Sequence, residues 1–249
     1  MRIVLAVLLP AVALSSESLK PKTIEAWNAY VKQTEDRWER ESTDAEAMRQ
    51  ATVSGQIQIQ RVDTGKVRLE SALIHDWRGG VWIPGARMKP LLEWVQNYDA
   101  HSKYFTEVER SKLRSRDGDT FKIYYRFRRK KIITVYYNTE HTVVYQVMDA
   151  THARSRSVAT RIAELDDPGT AKEKEKPEGR DNGFLWRLNS YWRFLETPDG
   201  VFLECESISL SRGIPAGLAW AAKGFVESVP RESLESTLSS IRKGFTGQE

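Results

Sequence analysis

Over much of its C-terminal half this chain alternates apolar and polar residues with a period of two. That pattern admits little except an antiparallel sheet with two unlike faces. Phe121, Ile123, Tyr125 and Phe127 fall on one face, and Lys122, Tyr124, Arg126 and Arg128 on the other. The run GFLWRLNSYWRF, residues 183–194, separates in the same way, with Phe184, Trp186, Leu188, Ser190, Trp192 and Phe194 against Leu185, Arg187, Asn189, Tyr191 and Arg193. A turn sequence, Thr197-Pro198-Asp199-Gly200, follows it. Val201, Leu203, Cys205, Ser207 and Ser209 then alternate with Phe202, Glu204, Glu206, Ile208 and Leu210. The two runs predict a hairpin. With either Pro198-Asp199 or Asp199-Gly200 as its loop, Arg193 lies across from Glu204 or Glu206. One face is then charged, and the other sets large rings against small side chains, a surface that either packs tightly or leaves room for a guest.

Further strands are expected at Gly55 to Arg61, Val67 to Ile74 and Gly80 to Gly85. Between Val108 and Leu165 five more follow, around Ser111 to Ser115, Phe121 to Arg128, Ile132 to Asn138, Thr142 to Met148 and Ser155 to Leu165. The polar run Asp166 to Asp181 is expected to be a mobile loop between strands. Helical spacing appears at three places. Ile24, Trp27, Val31 and Trp38 follow Thr23, a suitable N-cap, and predict an N-terminal arm over 17–50. Met88, Leu91, Leu92 and Val95 mark a short helix. At the end, a helical segment near Ile214 to Val226 precedes one starting at Pro230, in which Leu234, Leu238, Ile241 and Phe245 form a stripe about 24 Å long at ~1.5 Å per residue. Strands with helices segregated to one side make an α+β architecture.

The bulk numbers restrict function only loosely. At 249 residues, 40% hydrophobic and 29% charged, the chain suits one substantial domain or two small ones and is not disordered. The first residues, MRIVLAVLLPAVALSS, have the layout of a secretory signal peptide over 1–16, so a secreted or periplasmic protein is expected. With no cysteine beside that segment, lipid anchoring is not expected. Cys205 is the only cysteine, so no internal disulfide can form; in mid-strand on the apolar face it suits a packed small hydrophobe. The net charge of +4 is mild, but basic residues cluster at Arg110 to Arg116 and Arg126 to Lys131, as a solvated strand face or as the surface of a module that docks on an anionic membrane or a partner. Nucleic acid is not an expected partner, since export removes most of it.

The blocks GGVWIPGA, QNYDAHSKYF, SRSVATRIAEL, GFLWRLNSYWRF, ECESISLSRGIPAGLAW and VPRESLESTL resemble the START-like helix-grip superfamily, which includes lipid-transfer START domains and polyketide cyclases, and within it a secreted bacterial branch. The resemblance spans about Gly55 to Phe245 and places the domain over 51–249. It implies a curved antiparallel sheet gripping a long C-terminal helix around a cavity for a hydrophobic molecule. It carries no established reaction and no catalytic residue.

G-x-S-x-G, P-loop, G-x-G-x-x-G, H-E-x-x-H and C-x-x-C signatures are absent, and the histidines lack metal-ligand spacing, so neither metal nor cofactor is expected. The cavity is expected to be lined by Trp82, Phe121, Ile123, Tyr125, Phe127, Trp186 and Trp192, with His75 and His101 as polar groups beside it. The alternative is a cyclase or hydrolase using His75, or Asp99 and His101, in the same cavity. A monomer is expected. The face carrying Arg187, Arg193, Glu204 and Glu206 is assigned to solvent, as exposed ion pairs each contributing about 0–1 kcal/mol. The reverse assignment would put a paired polar network inside the cavity.

Overall fold

The computed structural model describes residues 19–40, 55–64, 69, 71–130, 134–213 and 219–247. The signal-like residues 1–16, the second part of the arm (41–50), Lys131 and the expected helix start at Ile214 lie outside the described residues. In chain order the elements are α1 (Pro21–Arg40), β1 (Gln58–Arg61), β2 (Ala72–Pro84), α2 (Met88–Val95), a 3-10 turn (Tyr98–Ala100) running into α3 (His101–Tyr104), then β3 (Val108–Asp117), β4 (Thr120–Lys130), β5 (Thr134–Val147), β6 (His152–Asp166), β7 (Lys174–Glu175), β8 (Arg187–Thr197), β9 (Gly200–Arg212) and α4 (Ala219–Thr246).

The alternating runs all enter one antiparallel sheet in the order β1-β2-β9-β8-β6-β5-β4-β3, with β7 paired to β6 off that path. The β8–β9 hairpin closes on Pro198-Asp199, which sets Thr197 against Gly200 and Arg193 against Glu204. Gly200 is required by crowding: a Cβ there would lie 2.4 Å from the Ile83 carbonyl oxygen. Two breaks expected from sequence do not occur. β2 continues through Gly79-Gly80 because β9 pairs with it at every residue from Ala72↔Arg212 to Pro84↔Gly200. β5 likewise runs unbroken, absorbing its irregularity as a bulge against β6 at Glu140/His141.

On the inner face of the sheet, α2 and α4 pack over a core that includes Val81, Ile83, Leu91, Phe121, Ile123, Phe194, Leu203, Leu234, Leu238 and Ile241. In α4 the described residues form one helix that passes through Pro230 instead of restarting there. The ring removes one backbone hydrogen bond. Beyond it the buried stripe Leu234, Leu238 and Ile241, none more than 4% exposed, holds the helix to the sheet.

The outer face carries a second core. Trp27, Tyr30 and Trp38 of α1 pack on Ala72, Ile74, Tyr191, Ile208 and Leu210. The helix starts at Pro21, with the Lys20 carbonyl accepting from the N–H groups of Thr23 and Ile24, so Thr23 is a buried first-turn residue and not the N-cap. Beneath α1 the charged hairpin face is neither in solvent nor in a cavity. Arg193, Glu204 and Glu206 are 6%, 2% and 1% exposed. The solvent assignment is thus corrected: the arm supplies the cover that a hairpin viewed alone lacks. Arg193 Nη1 bonds Glu204 at 2.9 Å and its Nη2 donates to the Trp38 carbonyl at 2.8 Å. Arg78 Nη2 bonds Glu206 at 2.9 Å, Arg37 of α1 pairs with the same carboxylate, and the Tyr30 hydroxyl donates to Asp76 at 2.6 Å. Burial and the neighbouring Glu206 raise the Asp76 carboxyl above its ordinary range.

The polar run 166–181 is tied to the sheet. It contributes β7, and Glu173 takes both terminal nitrogens of the buried Arg126 at 2.7 and 2.8 Å. Lys176 reaches the buried Glu164 at 2.6 Å, and Asn138 Nδ2 donates to Glu175 at 2.9 Å. Acids and bases that the sequence spaces far apart are brought together by β6 and β7, which accounts for the departure from a mobile loop.

Candidate functional site: a hollow beneath the terminal helix

The inner core does not fill the space between sheet and helices. A cavity of about 470 Å³ remains between β4, β5, β6, β8 and β9 on one side and α4 on the other. This lies within the ~300–1,000 Å³ usual for a small-molecule site. Its floor follows from strand parity. Ile123, Tyr125 and Phe127 of β4, Leu188, Trp192 and Phe194 of β8, and Leu203 and Cys205 of β9 all line it, because alternate residues of each strand share the face that α4 covers. Burial and the neighbouring Glu206 and Glu204 hold the Cys205 thiol well above its usual range, so it is a packing group and not a nucleophile.

Six of the nine residues singled out from sequence are brought to this wall: Ile123, Tyr125, Phe127, Trp192, His75 and His101. Three are not. Trp82 has the opposite parity to His75 on β2, pairs with Phe202 and belongs to the outer face. Phe121 is on the inner face, but it packs behind the wall, against Tyr98 and Tyr145, which line the cavity in its place. Trp186 precedes the first residue of β8, so alternation no longer governs it; it packs on the outer core and donates its indole N–H to Asp181. Asp99 also lies outside the cavity, where it accepts from the Leu113 N–H and pairs with Lys112.

Sequence reasoning missed other wall residues. His141, Tyr137 and Tyr145 follow from the period of β5, and Ser155 and Ser157 from that of β6, but these strands were broken or weakly patterned in the reading. Ser207 and Ser209 were placed on the correct face without a role.

The three histidines at the site are each held in a short hydrogen-bonded network. His101 Nε2–H donates to the Val95 carbonyl at 3.0 Å, which leaves Nδ1 to accept from the Tyr125 hydroxyl at 2.6 Å. Ser211 donates to the Arg212 carbonyl and therefore accepts from His75 Nε2–H at 2.9 Å. Thr139 donates to the Tyr125 carbonyl and accepts from His141 Nε2–H at 2.9 Å. Burial lowers the three imidazoles to about 4, so all are neutral at pH 7. Burial raises the Tyr125 and Tyr98 hydroxyls well above their usual range, and Tyr145 to about 12. Charge is confined to one end, where Arg129 at the end of β4 pairs with Glu107 and bonds Glu232 of α4 at 2.8 Å, while Ser233 donates to Glu107 at 2.9 Å. Arg129 was expected to be a free basic group of the hairpin tip; it is a clasp on the helix.

No protein-family model matches the chain, and neither does any curated protein. Solved structures do match. The STAR-related lipid transfer protein from Xanthomonas axonopodis is 15% identical, superposes with a TM-score of 0.50, and the match covers 76% of this chain and 98% of that one. Human STARD10 matches at 8% identity and TM-score 0.46 over 82% of this chain and 81% of its own. The Zhui aromatase/cyclase from Streptomyces sp. R1128 matches at 9% and 0.46 over 70% and 94%. At such identities the likeness is one of fold: the chain has the START-like helix-grip fold, an antiparallel sheet with a long C-terminal helix across its inner face.

Proposed function

We propose that the domain binds a hydrophobic small molecule in this hollow. The observation that carries the reading is a cavity of about 470 Å³ with Ile123, Phe127, Trp192 and Leu203 on its walls and all of its buried histidines neutral. Affinity would come mainly from apolar burial, at roughly 25 cal/mol per Å² before the costs of association. The lipid-transfer name of the Xanthomonas neighbour is in keeping with it. Native mass spectrometry and solvent extraction of the protein prepared from its own source test the reading, followed by displacement of an environment-sensitive dye. A protein that carries no small molecule and takes up no apolar probe would end it.

One observation favours a second reading, an enzyme of cyclase or hydrolase type. The His101–Tyr125 pair, 2.6 Å apart on the cavity wall, could relay a proton from a bound molecule through the tyrosine hydroxyl to the imidazole. Turnover of an extracted ligand, abolished in His101→Ala while binding persists, would establish it. Export through cleavage of residues 1–16 completes the proposal, and the mass of the mature N-terminus checks it.

A further inference from the structure

We infer that the guest is an uncharged, mostly apolar molecule that carries two or more hydroxyl or carbonyl groups along one edge, and that the wall formed by β6, β8 and β9 reads them. This rests on the ligand-binding reading above. Ser157, Ser190 and Ser207 are consecutive partners across three strands, so their side chains stand in one row on the cavity wall. At about 4.8 Å between strands the row spans roughly 10 Å. Ser155 and Ser209 flank it, one position further along β6 and β9 on the same face.

Space alone does not account for serine here. Small side chains leave room for a guest, but alanine would do so equally and without a hydroxyl to satisfy. Among the described residues no protein group bonds the hydroxyls of Ser155, Ser157, Ser207 or Ser209, although Ser155 and Ser209 are only 3% and 7% exposed. Ser190 accepts only a long contact, 3.3 Å, from the Trp192 indole. A second, separate observation comes from β5: Tyr137 lines the same cavity, is 5% exposed, and its hydroxyl has no partner. A buried hydroxyl without a partner is costly, so the Tyr137 hydroxyl calls for one from within the hollow, and the serine hydroxyls on the same wall are open to the same guest.

The electrostatics decide against an anion. The three histidines are neutral, and of the charged lining residues Glu107 and Arg129 neutralise each other while Arg212 has a partner of its own. A carboxylate or phosphate would find neutral imidazoles and would have to compete with Glu107 and Glu232 for Arg129. The aromatic wall of β4 and β8 suits a ring system.

A matched pair of probes tests the inference: trans-resveratrol, with three hydroxyls, and trans-stilbene, with none, titrated by tryptophan fluorescence and calorimetry. The native protein is expected to bind resveratrol about tenfold or more tighter than stilbene. S157A/S207A, its folding checked by its melting temperature, is expected to shrink that ratio several-fold by weakening resveratrol alone, and Tyr137→Phe to act in the same direction. Equal affinities in the native protein would overturn the hydroxyl reading and leave apolar binding intact. Equal losses for both probes in the folded variant would make the serines merely structural and also overturn it. Tighter binding of palmitate than of resveratrol would overturn the uncharged class, and binding of no probe would remove the ligand-binding reading itself.

Discussion

At the scale of single residues the outer face carries the largest electrostatic stakes. Arg193 and Glu204 are both almost fully buried, so removing one leaves the other unpaired in a poorly solvated place. Glu204→Leu is expected to lower stability by about 3–5 kcal/mol. In a double-mutant cycle with Arg193→Met the combined loss should fall well short of the sum, and urea unfolding measures both. Acid exposes the inner face instead. His75, His101 and His141 fall from 6.5 to about 4 on burial, so the fold favours their neutral forms. Their contribution is complete above pH 6.5 and is lost as pH drops toward 4. Asp76, whose carboxyl is raised, works in the opposite direction over that interval, but it is one group against three. The melting temperature should therefore fall between pH 6.5 and 4.5; a flat or rising profile contradicts these burials.

The elements differ in how far they could be read. Period-two runs located β4, β8 and β9, with β2 and β5 met only in pieces, and helical spacing found α1, α2 and the stripe of α4, because each pattern states which face is buried. It does not state what buries it. Residues of α1 and of the β8–β9 hairpin lie more than a hundred positions apart, and their spacing never announces that Trp38 covers Arg193. Parity fails beyond a misplaced strand end, as at Trp186, and across a break that does not exist, as between His75 and Trp82 of the continuous β2. Trp38→Ala should cost about 3–5 kcal/mol in unfolding experiments. Removal of residues 17–40 should expose the outer core and produce aggregation detectable by light scattering. On the other side, a Cβ at Gly244 would lie 2.7 Å from the Trp94 ring and 3.0 Å from that of Tyr104. Rigid rings yield little, so Gly244→Ala is expected to destabilise by about 1–3 kcal/mol despite its better helix propensity.

For the molecule as a whole, the hollow is a vacancy that the fold tolerates and that substitution can close. Ser190→Trp would place a ring between Leu188 and Trp192, over Ser157 and Ser207. The expected outcome is loss of dye and ligand uptake with a melting temperature unchanged or raised, the reverse of the usual penalty for enlarging a core residue. A large drop in melting temperature would mean that the space is already occupied by packed side chains. The existence of this space was legible only through the mismatch of rings and serines on one face; its volume depends on how far α4 stands off the sheet, which no periodicity encodes.

The clasp of Arg129 with Glu107 and Glu232 joins the rim of the sheet to the closing helix by charge, whereas Leu234, Leu238 and Ile241 hold the same helix by apolar contact. Ion pairs that water can reach, as it reaches these, weaken with dissolved electrolyte, whereas apolar contacts deep in the interior do not. Brine should thus act as a throttle on how quickly a guest enters or leaves, hastening both passages together and leaving the equilibrium occupancy nearly where it was.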